Sequence, residues 1–252
     1  MRIKSIAPER KRERVETIMS GYPNCCICVC DAGSFSDDFS IAEDTGWQDV
    51  DDMFRRESGQ LRCRNAVEAA SHDNWLYRRC FQRPTNMSGF HIEIEANMYV
   101  PDSYVVGTQN DSSMIWFGNQ WGMIGSGPVG KTTASVIVGV NWRDSLPEVL
   151  FARWTSSGWG GFFSYNWAIE TTVSDGDLIG FTLDDNDFIN KIFDLEVFKN
   201  GVSQHAATIT LVDRIDRAAD ATLWHGMANR PFTALPSGDW RGRYDNYAML
   251  TT

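Results

Sequence analysis

From residue 178 to 211 the chain alternates apolar and polar positions with period two. Ile179, Phe181 and Leu183 alternate with Gly180, Thr182 and Asp184, the pattern of a half-buried strand. The polar run Asp184-Asp185-Asn186-Asp187 is expected to end that strand. Phe193, Leu195 and Val197 then alternate with Asp194 and Glu196, and Asn200-Gly201 follows. Asn-Gly tolerates positive φ at both central positions of a type I′ turn, which predicts a tight hairpin. With Thr208-Ile209-Thr210-Leu211 as a further alternating strand, the segment reads as a β-meander.

The same period governs most of the chain. Residues 61–70 and 75–81 are strand candidates. Residues 90–100 form a stronger one, with Phe90, Ile92, Ile94, Ala96, Met98 and Val100 on one face and Pro101-Asp102 as its stop. Short strands are expected over 105–117, 120–124, 133–142, 149–154 and 163–172, with Gly158-Trp159-Gly160-Gly161 as a loop. Residues 218–229 read as loop with a short helical turn. A last strand spans 243–250, on which Tyr247 and Met249 are expected to share a face with Asp245. About a dozen strands at a spacing of roughly 8–12 residues mark an all-β sandwich or barrel. No internal repeat is visible, which argues against a propeller.

Composition sharpens this picture. The chain has 252 residues, is 42% hydrophobic and holds ten Trp, which is ample for one large core. Its net charge of −10 argues against nucleic acid, whose phosphates are bound by Lys and Arg. The charge is uneven, since residues 1–20 carry six basic and three acidic side chains and the remainder therefore about −13. A basic head on an acidic body suggests an arm, residues 1–34, that docks on other subunits. Pro8 is placed to open a short helix there, with Val15, Ile18 and Met19 as a weak apolar stripe. No apolar run approaches a membrane span of about 20 residues, and the start lacks the apolar core of a secretory signal. The expected setting is a cytoplasm, in which the six Cys remain thiols.

Four motifs invite chemistry. Cys25, Cys26, Cys28 and Cys30 suggest a thiolate metal site, but ligands two apart on a strand lie in a line, and small buried hydrophobes fit the spacing better. Gly125-Ser126-Gly127-Pro128-Val129-Gly130-Lys131-Thr132 matches the phosphate-binding pattern G-x-x-x-x-G-K-[ST]. That motif needs a helix after its Lys, whereas Ala134, Val136, Val138 and Val140 alternate like a strand. Glu93 and Glu95 share a strand face roughly 7 Å apart, near the separation of paired glycosidase carboxylates, but the solvent face of an amphipathic strand explains them better. Trp154, Trp159, Tyr165 and Trp167 cluster around a Gly-rich loop and suit stacking on sugar rings, or ordinary core. The four His are scattered and no G-x-S-x-G elbow occurs, so nucleophilic catalysis finds no support.

Ser36-Asp37-Asp38-Phe39 near the start and Arg243-Tyr244-Asp245-Asn246-Tyr247 near the end make a pair of bookends. With Phe90-His91-Ile92-Glu93-Ile94-Glu95-Ala96 and Leu195-Glu196-Val197-Phe198-Lys199-Asn200-Gly201 between them, residues 35–252 resemble the concanavalin A-like, laminin-G-like jelly rolls, above all those of bacteriophage tail and other virion proteins. The resemblance implies two curved antiparallel sheets with the first and last strands side by side. It also implies glycan binding, in some members with calcium, for which Asp38 and Asp245 are the matching positions here. The typical glycosidase strand of this fold is E-x-D-x-E, and Glu93-Ile94-Glu95-Ala96-Asn97 lacks its third acid. The expectation is a non-enzymatic virion component, assembled in the host cytoplasm within a homo- or hetero-oligomer, docked through its arm and touching a host-surface glycan. A glycoside hydrolase using Glu93 and Glu95, and a capsid decoration protein, stand as alternatives.

Overall fold

A computed structural model of the chain describes residues 34–40, 47–49, 54–64, 74–82, 91–100, 111–119, 134–142, 148–154, 166–187, 190, 192–211, 222–231 and 240–251. These form β1 (Ser34–Asp37), β2 (Gln48–Asp49), β3 (Phe54–Glu57), β4 (Gln60–Arg64), β5 (Asn74–Gln82), β6 (His91–Tyr99), β7 (Asp111–Asn119) and β8 (Ala134–Trp142). They continue with β9 (Val149–Trp154), β10 (Trp167–Glu170), β11 (Asp177–Asp187), β12 (Ile192–Lys199), β13 (Val202–Thr210), β14 (Thr222–Pro231) and β15 (Trp240–Thr251). Sheet A has the order β13-β12-β11-β6-β15-β4-β3, with β1 also paired to β15, and sheet B the order β10-β9-β8-β7-β14-β5-β2. The pairings are antiparallel, including that of β1 with β15. The architecture is an all-β, two-layer sandwich whose first and last strands are neighbours.

Alternation in the sequence translates directly into layers. On β6, Ile92, Ile94, Ala96 and Met98 are buried while His91, Glu93, Glu95, Asn97 and Tyr99 stay partly accessible. Those inward residues join Phe181, Leu195, Val197, Ile115, Phe117, Val138 and Trp142 in one core between the sheets. The centre of sheet B is apolar on its other face as well, where Met114, Trp116, Ile137, Val149, Phe151 and Ala228 form a second buried cluster. Tyr244 of β15 ties the layers together. Its hydroxyl donates to the Ala228 carbonyl at 2.6 Å and accepts from the Met114 N–H at 3.1 Å, and burial pushes the phenol pKa up.

The Asn200-Gly201 turn has φ of 52° and 73°, as a type I′ hairpin requires. A second turn of the same kind, Ser58-Gly59 with φ of 55° and 72°, joins β3 to β4. Residues 134–142 are a strand, so no helix follows the Gly-rich motif there; residues 120–133, the expected strand at 120–124 among them, lie outside the described residues. The cysteines at 25–30 and the arm lie outside them too.

Three expectations need correction. The run Asp184–Asp187 does not end its strand, because Asp184 faces solvent and β11 stays paired with β12 through Asp187↔Ile192. Residues 222–231 are not loop but the central strand β14, between β7 and β5. His225, Met227, Ala228 and Asn229 are all buried, so a strand covered on both faces carries no alternation to read. Asp245 does not share a face with Tyr247. Asn246 adopts φ of 47° at a bulge between Asp245 and Ala248, which switches parity so that Tyr244 and Tyr247 both point inward.

The join between β1 and the rest is made by one buried carboxylate. Asp37 accepts from the Phe39 N–H at 2.8 Å, from the Trp47 indole at 2.8 Å and from both terminal nitrogens of Arg56 at 3.1 and 2.6 Å. Phe39 is held at φ of 53°, a costly conformation for a bulky residue, with the Arg56 guanidinium 5.2 Å from its ring. Asp37→Ala would remove the buried carboxylate shared by the Trp47 indole, the Phe39 N–H and the part-buried Arg56 guanidinium, and is expected to cost about 3–5 kcal/mol, with Asp37→Asn costing less. Urea unfolding of the two variants beside wild type measures this.

Candidate functional site

Two of the four aromatic residues picked out in the sequence meet at one rim of the sandwich. Trp154 ends β9 and Trp167 begins β10, the edge strand of sheet B. Asn166 fixes the approach, donating its N–H to the Ala152 carbonyl at 3.2 Å and accepting the Trp154 N–H on its side chain at 2.9 Å. Trp159 and Tyr165 lie outside the described residues.

The partner of both indoles is a residue that sequence reading passed over. His205 of β13, the facing edge strand of sheet A, stacks on Trp167 at 4.7 Å and 13° and lies near-parallel to Trp154 at 6.4 Å and 15°. A simple two-residue hairpin at Asn200-Gly201 would set Gln204 opposite Val197. The bulge at Val197/Phe198 sets His205 there instead, and so turns the imidazole inward. Counting back from Ile209 and Ala207 also puts His205 on the inward face, so the alternation of β13 carries a signal that the hairpin count contradicts. The His205 Nε2 is buried with no hydrogen-bond partner among the described residues, and burial lowers the imidazole pKa. Nearby on the same two edge strands, Val202 is 61% and Ile169 40% exposed. Both indoles pack against the core and lie parallel to His205, so they serve the sandwich interior and leave only part of each ring half-exposed at the rim.

Glu93 and Glu95 stand elsewhere, on the outer face of β6. Their cross-strand neighbours are Thr182 and Leu250 for Glu93, and Gly180 and Ala248 for Glu95. They share a face, as the alternation predicts, and of their four cross-strand neighbours only Thr182 is polar.

Asp38 and Asp245 come close enough for the charge of Asp38 to act on Asp245, whose carboxyl is held above the usual range first by burial and then by that charge. Each already accepts a backbone N–H, Asp38 from Ser40 and Asp245 from Asn246. Calcium takes about six to eight oxygen ligands, and among the described residues no group of three His, Cys, Asp or Glu gathers around these or any other positions.

No protein-family model matches the chain, and no curated protein sequence is similar to it. Solved structures are. The CBM2 module of the evolved Dit protein of Lactobacillus casei BL23 phage J-1 matches with a TM-score of 0.50 and 10% identity, over 87% of this chain and 96% of that one. Peanut lectin matches with a TM-score of 0.53 and 14% identity, over 87% and 97%. An endo-1,3-beta-glucanase from Streptomyces sioyaensis matches with a TM-score of 0.51 and 15% identity, over 87% and 98%. The fold is the concanavalin A-like jelly roll. At such identities the likeness is one of architecture, and within the jelly roll the aromatic rim has to be judged on its own geometry.

Because burial lowers the His205 pKa from the ordinary imidazole value of 6.5, the native state binds fewer protons than the unfolded chain as the pH falls through that value. Stability attached to His205 is therefore full above that pH and is lost on acidification through the lowered native pKa. Thermal melts from pH 7.5 to 5 are expected to show a smaller acid-side loss in His205→Gln than in wild type, with the imidazole followed by NMR titration.

Proposed function

We propose that this chain is a structural component of a bacteriophage virion, a minor tail or surface protein, whose jelly roll binds a host-surface glycan. The observation that carries the reading is the two-sheet jelly roll spanning the described chain, an architecture shared with the CBM2 module of a phage Dit protein and with peanut lectin. A stiff sandwich holds recognition groups at its rims and loops, and this one places Trp154 and Trp167 at such a rim, against His205. Residues 1–34, basic where the rest of the chain is acidic, are the proposed anchor to other virion proteins. Capsid decoration remains a reading of the same kind.

A glycoside hydrolase is the second reading, favoured by the two outward carboxylates on β6 and by the fold shared with an endo-1,3-beta-glucanase. Its acid pair would be Glu93 and Glu95, seven ångströms or so apart along the strand, within the range used for inverting chemistry at about 6.5–9.5 Å.

Three measurements sort these readings. Labelled antibody on intact particles, viewed by electron microscopy, is expected to decorate the tail or surface, and label confined to the host lysate would remove the virion assignment. On a glycan array, Trp167→Ala is expected to weaken retention about two- to tenfold, the range for loss of one aromatic contact. Incubation of wild type with bacterial polysaccharides is expected to release no reducing ends. If it does, and Glu93→Gln does not, the hydrolase reading replaces the binding one.

A further inference from the structure

The two sides of the sandwich end differently. On one, β3 and β2 are four and two residues long and β3 carries Arg55, Arg56 and Glu57, the short charged strands that discourage further pairing. On the other, sheet A ends in β13, nine residues without Asp, Glu, Lys, Arg or Pro. Among the described residues β13 is laddered to β12 alone. Its irregularity is the bulge at Gln204, whose side-chain amide donates to the Val202 carbonyl at 3.0 Å. From His205 to Thr210 the register with β12 is unbroken. Every second residue of such an edge turns its N–H and C=O outward, where another strand can bond them.

The core is also open along this side. Ile169 lies opposite Leu150, and Val202 opposite Lys199, itself opposite Ile179, so both face the layer between the sheets. They are nonetheless 40% and 61% exposed. With Trp167, His205 and Ala207 they line a slot between the edge strands β10 and β13. A strand added to β13 covers such a slot with every second side chain while its backbone takes up the outward groups.

The chain holds a segment suited to that place. Cys25-Cys26-Ile27-Cys28-Val29-Cys30 is an uninterrupted apolar run of six, and a run of that length needs cover. It contains no charge and no Pro, and as a strand it puts Ile27 and Val29 on one face. It cannot reach the edge of its own domain. Ser34 opens β1, and β15, β6, β11, β12 and β13 lie between β1 and the added position, six spacings or about 29 Å. The four steps from Cys30 to Ser34 span at most about 14 Å.

We propose that Cys25–Cys30 of one copy adds as a strand to the edge of β13 on a second copy, with Ile27 and Val29 turned into the slot. Charge favours this occupant over a second β13. Asp194 and Glu196 stand outward on β12 beside the edge, and residues 1–20 bring six basic side chains against three acidic ones. Two β13 edges would instead bring two acidic faces together. The contact is head-to-tail, so it builds a row or a ring of copies. It rests on the reading of residues 1–34 as an anchor and makes the socket another copy of this chain. Trp167 borders the slot, so glycan binding through that indole belongs to copies whose socket is empty.

Sedimentation velocity on the full chain, kept reduced so that no disulfide links copies, tests this. Wild type is expected to self-associate. Ile27→Lys/Val29→Lys spoils the arm, and Ala206→Lys/Thr210→Lys, at two exposed positions, puts on the edge the residue that blocks strand addition. Each variant alone is expected to associate at least about tenfold more weakly than wild type. A mixture of the two is expected to form an equimolar complex, since one keeps its socket and the other its arm. A peptide of residues 22–31 is expected to dissociate wild type and a scrambled peptide to leave it intact, which tests the proposal even where a variant misfolds. The inference is overturned if the variants, folded by circular dichroism, fail to combine, or if the peptide has no effect. It is also overturned if association is lost in the edge variant and kept in the arm variant, since β13 would then pair with its own kind. A wild type that stays monomeric while antibody labels it on particles overturns it too, and leaves the anchor reading standing with another virion protein as socket.

Discussion

The buried carboxylate of Asp37 is the constraint on which the closure of the sandwich depends. It collects an indole N–H, a backbone N–H and a bidentate guanidinium from three separate stretches of chain. The indole and backbone N–H are buried donors in need of a partner, and they share one with the part-buried guanidinium. The same carboxylate stabilises the left-handed turn at Phe39, which folds that ring into the core beside Trp47. Trp47 in turn packs edge-on against Tyr247 of the last strand at 5.1 Å. The opening and closing strands of the domain are thus fastened by side chains as well as by their ladder of hydrogen bonds.

Bulges do the finer positioning. In β15, Asn246 lets Tyr244 and Tyr247 both face the core, one reaching across to β7 and β14 and the other stacking on His225 at 5.5 Å, with their polar atoms 2.6 Å apart. In the β12–β13 pair, an extra residue turns His205 onto the indoles. Each gives up one regular ladder position: in β15 the bulge turns Tyr247 inward against strict alternation, and in the β12–β13 pair it reconciles the tight hairpin with the inward face that His205 shares with Ala207 and Ile209.

What was legible in the sequence follows from this division. Strands with one wet face, such as β6, β11 and β12, announce themselves by period two, and the Asn200-Gly201 hairpin by its positive-φ pair. The pairing of β1 with β15 was visible only through resemblance. β14 was hidden because both of its faces are buried, which erases the period. The parity of Asp245 was hidden because a bulge is a property of a pair of strands and neither strand alone records it, whereas His205 went unmarked although it shares a face with Ala207 and Ile209. The indoles at 154 and 167 could be marked as a cluster from their spacing, but not the imidazole that joins them from another layer.

The second apolar cluster, on the far side of sheet B, has a consequence for how this protein can change. Positions on β7 and β8 are filled on either side of the sheet, and Gly139 has no room even for a methyl, with a Cβ there falling 2.3 Å from the Ser113 carbonyl oxygen. Such strands accept few replacements at any position, odd or even. Sheet A keeps one wet side, so inheritable variation in surface character is channelled onto a single layer, and lineages of this domain should diverge there first while the other layer stays nearly fixed.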